Sequence, residues 1–532
     1  MTGEGHLPTL AEATLPACKR VRLGRRIDEL VAEVPSAKLV VGDASLFLGG
    51  VHHDSRRILP GDLFVARKGQ RTHGDRFVSD AIERGARAII VERGASVDTK
   101  DVARIEVDDA AHALAFASAA IYGHPTFSLD VVGITGTNGK TTTAHLVQAC
   151  INASGGRAGL VGTLGYRFET LDLPATHTSP EADELARISA SMLAAGATHL
   201  VMEASSIALA ARRVEAVRFR VAAFTNLTQD HLDYHGTMQA YAEAKARLFV
   251  DLGPGAAAIN VDDPFGPVLA SRLAPRGLGG PLSARLARYS AKVGASLEDA
   301  EIAPRSLSQT TSGISFVART PSGDVKVDSP LVGAHNTQNL LGTLAICWLL
   351  ELDLEACAAA LSRTIRVAGR LERCDDPGHD NIVVLVDYAH TPDALSRVLE
   401  SVRGFGDGRV VCVFGCGGDR DPKKRPLMGE AVGRGADVAF VTNDNPRSED
   451  PRSIVDAILP GLDGGKAIVH VELDRARAIE AAVLSAKRGD VVLIAGKGHE
   501  PYQIIGNETF AFDDRVEAER ALLLRREQLA ER

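Results

Sequence analysis

The sequence predicts an α/β protein with several domains, two of which contain a doubly wound parallel sheet. Short apolar runs repeatedly end in Gly, Ser, Asn or Asp, and amphipathic stretches of helical periodicity separate them. The length supports the same conclusion, because 532 residues correspond to about three or four domains of ~150 residues each. In such sheets ligands bind beyond the carboxyl ends of the strands, so we expect the functional residues there.

The first predicted domain covers residues 1–128, with strands at DLFVA (62–66) and RAIIVE (87–92). The second covers residues 129–366, and its buried strands are predicted at 129–136, 199–206, 221–227 and 256–263. A helix is expected over 141–154, and a turn-rich, less regular segment at 264–330 is expected to add strands at the flank. The third covers residues 367–532, with strands predicted at 381–390, 409–418, 437–445 and 490–498.

Composition excludes several classes of protein. Apolar residues make up 45% and charged residues 24%, which is ordinary for a globular chain and excludes a disordered one. A net charge of −8 and an aromatic content of 5% argue against a nucleic-acid partner. No apolar run approaches the ~20 residues that cross a bilayer, and the N-terminus lacks the apolar core of a signal peptide. Seven cysteines without CxxC spacing indicate neither a disulfide framework nor a zinc ribbon, so we expect a cytoplasmic protein without membrane insertion.

The segment GITGTNGKTTT (133–143) indicates a phosphate-binding loop. A buried strand runs into glycines, and a Lys-Thr pair then opens a helix whose N-terminus favours anions. Lys140 supplies a cation for the β- and γ-phosphates, and Thr141 a hydroxyl for Mg²⁺. The strict pattern GxxxxGK[ST] is missed only at Ile134, and a bare Gly-rich turn explains the strand and helix context less well.

GTNGKTT (136–142) resembles the ATP loop of the Mur ligase family, and further blocks in the family's order extend the resemblance over nearly the whole chain. These blocks are DSR (54–56), MEASS (202–206), FTNLTQDHLDYHGTMQAYAEAKARLF (224–249), AGRLE (368–372), VDYAHTPDAL (386–395), FGCGGDRDPKKRPLMG (414–429), TNDNPRSEDP (442–451) and GKGHEPYQ (496–503). The resemblance implies three domains: one for a UDP-sugar, a central P-loop ATPase domain and a Rossmann-like domain for an amino acid. It also implies an ATP-dependent acid–amino-acid ligase of peptidoglycan precursor synthesis, which acts through an acyl phosphate and is expected to be a monomer.

The resemblance assigns ATP and Mg²⁺ to the central cleft. The residues implied in nucleotide binding are Gly136, Thr137, Asn138, Gly139, Lys140, Thr141, Thr142, Asn336, Asn339, Arg370 and Asp387. Lys140, Glu203, His231 and Lys245 are the implied catalytic residues, and Thr141 joins the last three as a metal ligand. From composition alone Lys245 would be a solvated charge. In the family the matching lysine is carbamylated by CO₂, which requires a neutral amine and therefore a lowered pKa.

Two further groups of residues are implied in substrate binding. A UDP-N-acetylmuramoyl dipeptide is expected at Ser55, Thr178, Ser179, Ser205 and Arg213, with help from residues 70–72. The incoming amino acid is expected at Arg420, Asp444, Asn445, Pro446, Arg447, Gly496 and Glu500. The DNPR form of the motif at 444–447 is associated with meso-diaminopimelate, whose additional carboxylate a guanidinium can bind through two hydrogen bonds.

Three alternatives stay open from the sequence. A lysine-adding homologue and a folylpolyglutamate synthase-like ligase have the same architecture, but the DNPR and GKGHE blocks argue against both. A non-catalytic nucleotide-binding protein would fit Ile207 and Ala211, which replace a His and a Gln often found in the family. The chain retains the four residues implied in catalysis, which argues against that possibility: Lys140, Glu203, His231 and Lys245.

Overall fold

The computed structural model describes residues 24–69, 72–99, 102–273, 285–310, 313–363, 367–405 and 408–530. Three large sheets follow one another along these ranges, with five, eight and six strands. Parallel strands form most of each sheet and helices alternate with them, so the predicted α/β class is confirmed. A search of the described helices finds none with the length and apolar character of a membrane span.

The N-terminal sheet has the strand order β2-β7-β6-β5-β4, and only β2 is antiparallel to its neighbour. Its unit consists of β1 (Arg25–Arg26), α1 (Ile27–Glu33), β2 (Lys38–Val41), β3 (Phe47–Leu48), β4 (Val51–His52), β5 (Leu63–Val65), α2 (Val78–Glu83), β6 (Ala88–Glu92), β7 (Ala103–Val107) and α3 (Ala110–Ile121). Short 3-10 helices lie at Ser55–Arg57, Gly74–Phe77 and Pro125–Phe127.

The central sheet has the order β11-β10-β9-β12-β8-β13-β14-β15, with β10 and β11 antiparallel at one edge. Its first half contains β8 (Asp130–Thr135), α4 (Lys140–Ala153), β9 (Ala158–Gly162), β10 (Gly165–Phe168), β11 (Leu171–Leu173), α5 (Ala182–Ala194), β12 (His199–Glu203) and α6 (Ser206–Ala210). Its second half contains β13 (Phe219–Phe224), α7 (Leu232–His235), α8 (Met238–Val250), β14 (Ala256–Asn260), α9 (Phe265–Leu273) and β15 (Arg285–Tyr289).

The segment at 264–330 is more regular than the sequence suggested. After α9 and β15 it forms a three-stranded antiparallel sheet of β16 (Ala303–Thr310), β17 (Gly313–Thr320) and β18 (Gly323–Ser329). Along β17 every second side chain is buried, which is the alternation expected of a sheet with one face on a core. The helices α10 (Ala334–Leu349) and α11 (Leu354–Leu361) follow, and α11 packs against β18.

The C-terminal sheet has the order β19-β20-β24-β21-β22-β23, and only β19 is antiparallel. Its elements are β19 (Glu372–Arg373), β20 (Val383–Asp387), α12 (Pro392–Arg403), β21 (Val410–Phe414), α13 (Lys424–Gly435), β22 (Val438–Val441), α14 (Pro451–Leu462), β23 (Ile468–Val471), α15 (Arg475–Ser485), β24 (Val491–Ala495), β25 (Tyr502–Ile505), β26 (Glu508–Ala511) and α16 (Asp514–Ala530). β25 and β26 form a separate hairpin.

Each large sheet has an apolar cluster on both of its faces, and its inner parallel strands, such as β21 and β24, are accordingly buried and apolar. Because β8, β12 and β13 run in parallel, the residues that follow them collect at one edge of the central sheet. The same holds for β20, β21, β22 and β24 in the C-terminal sheet. The two edges contribute to a common cleft.

Candidate active site

The loop between β8 and α4 has a conformation that depends on two glycines. Gly136 has φ +152°, and a Cβ there would lie 1.8 Å from the Thr225 hydroxyl oxygen. Gly139 has φ +85°, and a Cβ there would lie 2.5 Å from Asn339 Oδ1. Residues 137–142 line the cleft, and α4 begins at Lys140 with its N-terminus at the same place. The loop can therefore offer backbone N–H groups and a helix terminus to phosphate oxygens.

Lys140 is folded back onto its own loop. Its Nζ donates to the carbonyl oxygens of Gly136 and Thr137, both at 2.8 Å. Burial lowers the pKa of Lys140, and the carboxylates of Glu203 and Asp230 oppose that shift. A phosphate oxygen would be a stronger acceptor than either carbonyl, so the ammonium is placed to change partners when a nucleotide binds.

Glu203 is the last residue of β12 and is only 1% exposed. Thr141 Oγ1 donates to its two oxygens at 3.0 and 3.1 Å, and the backbone N–H of Thr163 donates at 2.8 Å. These donors offset the burial of the carboxylate. Carboxylate and hydroxyl oxygens meeting beside a phosphate loop form a donor set that suits Mg²⁺.

His231 and Asp230 line the cleft beyond the end of β13. His231 adopts a left-handed backbone with φ +51°, and its Nε2 lies 3.5 Å from Asp230 Oδ2. Desolvation in the cleft lowers the pKa of His231, although Asp230 opposes this, so the neutral imidazole, which can act as a metal ligand, is favoured. Asp230 is an additional oxygen donor that the sequence analysis did not single out.

Lys245 is buried, so its interpretation as a solvated charge from composition alone is wrong. The side chain, on α8, is 1% exposed, and its Nζ lies 4.3 Å from the centroid of the Tyr241 ring. Burial, reinforced by the charge of Lys140, holds the pKa of Lys245 well below its usual range. This environment therefore favours the neutral amine, which is the form that carbamylation requires.

The opposite wall of the cleft comes from the C-terminal unit. Arg370 donates through Nη2 to Thr141 Oγ1 at 3.3 Å and lies over the ring of Tyr388. Asp387 accepts from the backbone N–H groups of Leu371 and Ala389, and its burial raises its pKa. A hydrogen bond of 3.3 Å from Asn138 Nδ2 to Asp393 Oδ2 also joins the two walls of the cleft.

The two asparagines of α10 that are implied in nucleotide binding differ in their position relative to the cleft. Asn339 lines the cleft beneath Gly139. Asn336 accepts from Asn339 Nδ2 at 2.8 Å and donates to the carbonyl oxygen of Val332, without lining the cleft. In this conformation Asn336 supports Asn339 and only Asn339 faces the nucleotide loop.

The predicted acceptor residues of the central unit lie together. Ser179 Oγ donates to the Glu203 carbonyl oxygen at 2.7 Å and accepts from the Ser205 N–H at 2.9 Å. Thr178 Oγ1 lies 3.1 Å from Thr163 Oγ1. Arg213 donates to the carbonyl oxygen of Ser179 at 3.1 Å. This places the hydroxyls directly beside the end of β12.

Arg213 shares a carboxylate with a second arginine. Its Nη2 lies 2.9 Å from Glu181 Oε1, and Arg67 of the N-terminal unit reaches the same oxygen at 2.8 Å. Two guanidinium groups and one carboxylate leave one positive charge here. Ser55 is buried in the N-terminal unit, where the described contacts do not join it to this group, and residues 70 and 71 lie outside the described residues.

A second cluster occupies the carboxyl end of the C-terminal sheet. Asp444, Asn445, Pro446 and Arg447 follow β22, and Gly496 and Glu500 follow β24. Arg447 has φ +51° and donates through Nη1 to the Gly418 carbonyl oxygen at 2.7 Å. A Cβ on Gly417 would lie 2.9 Å from Arg447 Nη1 and 3.8 Å from Arg420 Cγ, so both arginines flank this glycine. Among the described residues neither guanidinium forms an ion pair with a carboxylate, and both donate to backbone carbonyl oxygens instead.

Lys497 lies at the centre of this cluster and was missed by the sequence analysis. It is fully buried, and its Nζ lies 3.1 Å from Asn445 Oδ1, 3.4 Å from Glu500 Oε2 and 3.9 Å from Asp444 Oδ1. Asn445 Nδ2 also donates to Glu500 at 3.0 Å. Burial and the neighbouring Asp444 raise the pKa of Glu500, while Lys497 opposes that shift. The position of Lys497 inside GKGHE was the available signal.

The structure assembles one group of three metal-capable side chains within the described ranges, away from the cleft. The Sγ atoms of Cys150, Cys347 and Cys357 lie within 4.8 Å of one another in an apolar cluster between α4, α10 and α11. Absence of CxxC spacing did not exclude such a grouping, because the three thiols come from different helices.

Comparison with known proteins agrees with this geometry. Three Mur ligase descriptions match in order: the Mur ligase family catalytic domain at residues 48–122, the Mur ligase middle domain at 134–347 and the Mur ligase glutamate ligase domain at 369–498.

Two curated relatives cover most of the chain. The UDP-N-acetylmuramoyl-L-alanyl-D-glutamate–2,6-diaminopimelate ligase of Gloeobacter violaceus is 45% identical over 480 residues, which are 90% of this chain and 94% of the relative. The enzyme of the same name from Synechococcus elongatus is 44% identical over 501 residues, 93% of this chain and 98% of the relative. A solved structure of a ligase of this name superposes with a TM-score of 0.66 at 31% identity, over 94% of this chain and 99% of the other.

Proposed function

The chain belongs to the Mur ligase family of ATP-dependent amide-bond ligases, and we propose that it joins meso-diaminopimelate to UDP-N-acetylmuramoyl-L-alanyl-D-glutamate. The observation that carries the choice of amino acid is the pair Arg420 and Arg447, which flank Gly417 without a carboxylate partner among the described residues. Diaminopimelate has the additional carboxylate that such a pair would bind.

The first step would take place in the cleft between the central and C-terminal units. The acceptor's carboxylate attacks the γ-phosphorus of ATP, ADP leaves, and an acyl phosphate results. Lys140 would exchange its two carbonyl partners for phosphate oxygens, and the loop's N–H groups would hold the remaining charge. Arg370 and Asp387 would hold the nucleotide from the opposite wall.

Mg²⁺ fits the donor set of this cleft, in which Thr141, Glu203 and His231 would hold it, and a carbamate on Lys245 would add an anionic ligand. When bound, the ion would neutralise phosphate charge during transfer. Thr141 and Glu203 already lie 3.0 Å apart, so little rearrangement is needed to present both oxygens.

In the second step the amine of the incoming amino acid attacks the acyl carbon, and phosphate leaves as the amide bond forms. Asp444, Glu500 and Lys497 together carry one net negative charge, which suits the ammonium group at the distal end of diaminopimelate. Thr178, Ser179, Ser205 and Arg213 would hold the acceptor's peptide end beside Glu203. All these side chains come from one chain, so we propose a monomer as the active form. Its substrates are nucleotide-linked precursors, which fits a cytoplasmic enzyme.

The test is amino-acid-dependent release of ADP. Purified protein receives ATP, Mg²⁺ and the UDP-dipeptide, and diaminopimelate, lysine or glutamate is then added in parallel reactions. We expect diaminopimelate to stimulate ADP release and ligated product, with each reaction lacking the UDP-dipeptide as the control. Stimulation by lysine alone would assign a lysine-adding enzyme, and stimulation by none of the three would overturn the proposal.

A further inference from the structure

We propose that Arg475 and Asp514 are positioning residues for the amino-acid site, where their buried ion pair fixes the spacing of segments 443–447 and 495–500. The inference rests on the proposed function for its kinetic consequence, and on geometry alone for its structural one. Neither residue belongs to the motifs that identify the family in this sequence.

The pair is completely enclosed. Arg475 opens α15 and Asp514 opens α16, and both side chains are 0% exposed. Arg475 Nε and Nη2 each donate to one carboxylate oxygen of Asp514 at 2.7 Å. An enclosed pair of this kind needs its remaining donors satisfied, because an unpaired N–H in such a place is strongly destabilising.

The remaining donors of Arg475 reach both segments of the amino-acid site. Nη1 donates to the Asn443 carbonyl oxygen at 3.2 Å, directly before Asp444. Nη2 donates to the Ala495 carbonyl oxygen at 3.0 Å, directly before Gly496. One guanidinium therefore ties the end of β22 to the end of β24, although β21 lies between these strands in the sheet. The planar, forked group is suited to this, and a lysine ammonium is not.

The two segments, 443–447 and 495–500, are packed so closely that neither can shift without a change in their contacts. Gly496 has φ +117°, and a Cβ there would lie 2.8 Å from Asp444 Oδ2 and 4.0 Å from Arg475 Nη2. Across the same gap Asn445 contacts Glu500 at 3.0 Å and Lys497 at 3.1 Å. A shift of either segment would lengthen these contacts together. Displacements of about 1 Å at such a site are enough to reduce function strongly.

The test compares Asp514→Asn with Asp380→Asn. Asp380 also pairs with an arginine of α16, since Arg526 donates to its two oxygens at 2.9 and 2.6 Å. The side chain of Asp380 is 2% exposed. Asp380 belongs to the segment before β20, so this pair lies outside both loops of the amino-acid site. Asp380→Asn therefore controls for the loss of a carboxylate that anchors the same helix.

We expect Asp514→Asn to raise KM for diaminopimelate at least 10-fold, with KM for ATP and for the UDP-dipeptide within two-fold of the unaltered protein. Asp380→Asn should leave all three KM values within two-fold. The double variant Arg475→Met, Asp514→Leu removes both buried charges and also the donors to Asn443 and Ala495, so we expect KM to stay raised even if the melting temperature recovers in part. Recovery of KM together with stability, or an unchanged KM in folded Asp514→Asn, would overturn the proposal.

Amide hydrogen exchange separates this inference from the proposed function. In the unliganded Asp514→Asn protein we expect exchange in segments 443–447 and 495–500 to become at least 10-fold faster, and exchange in β20 to stay unchanged. This measurement needs no substrate. If diaminopimelate does not stimulate the unaltered protein, the proposed function fails, but hydrogen exchange still tests the role of the ion pair. Unchanged exchange rates in both segments of Asp514→Asn would reject that role.

Discussion

The nucleotide loop and the amino-acid cluster are built in different ways. The loop is one continuous stretch, residues 136–142, whose shape follows from Gly136 and Gly139. The amino-acid cluster draws on three separate segments, near Gly417, at 443–447 and at 496–500, and an ion pair from two helices holds two of them. A local site can be recognised in a sequence, whereas an assembled site depends on the tertiary fold.

The two regions also differ in how their lysines are paired. Lys140 rests on two neutral carbonyls, so a bound phosphate would improve its partners. Lys497 already lies beside Glu500 and Asp444, so it organises the cluster before a ligand arrives. The lysine of the nucleotide loop therefore keeps its charge available for a ligand, whereas the amino-acid cluster is largely preorganised.

The largest expected effect is at the nucleotide loop. Lys140→Ala should abolish ligation, with kcat lower by roughly 10³-fold or more, because the cation facing the transferred phosphoryl group is lost. Steady-state ADP release measures it. The exposed Lys326 of β18, paired with Asp328, supplies the control Lys326→Ala, which should behave as the unaltered protein. Near-normal turnover of folded Lys140→Ala would refute the ATP-loop assignment.

Lys245→Ala should reduce kcat by roughly 10²-fold or more, because a metal-binding carbamate could no longer form. Short carboxylic acids such as acetate are expected to restore part of the activity by replacing that ligand. Activity is assayed with and without acetate, and with CO₂ removed from the unaltered protein. If CO₂ removal has no effect and no adduct is found on Lys245, the carbamate hypothesis fails.

Within the amino-acid cluster, Glu500→Gln should raise KM for diaminopimelate roughly 10- to 100-fold, because Lys497 and the ligand's ammonium lose a carboxylate partner. KM for ATP should stay unchanged, which distinguishes the two regions. Glu508→Gln on the exposed strand β26 is the control. Equal increases in both KM values would show that the regions are not independent.

The smallest effect is expected where the two walls of the cleft touch. Asp393→Ala removes the contact with Asn138 and the partly exposed pair with Arg397. Such pairs contribute about 0–1 kcal/mol, so KM for ATP should rise less than about five-fold. A much larger increase would mean that this contact holds the cleft closed.

The sequence predicted the fold class and the parallel strands well, because their apolar runs are long and end in polar residues. It also located the loop at 136–142, where glycines and Lys-Thr are contiguous. It did not indicate that Lys245 is buried, since a single lysine on a helix carries no sign of what packs over it. It also missed Lys497 and Arg475, whose partners are brought to them by β22 and α16.

The choice of amino acid is tested most directly by the ratio of kcat/KM for diaminopimelate to that for lysine, measured in the unaltered protein and in Arg447→Ala. Removing one partner of a desolvated charge pair is worth about 2–4 kcal/mol, so the ratio should fall roughly 30- to 1000-fold. KM for ATP and for the UDP-dipeptide should not change. Arg452→Ala, on the exposed surface of α14, is the matched control and should keep the ratio. An unchanged ratio in folded Arg447→Ala would show that DNPR is only a turn here, and would contradict the assignment of diaminopimelate through this residue.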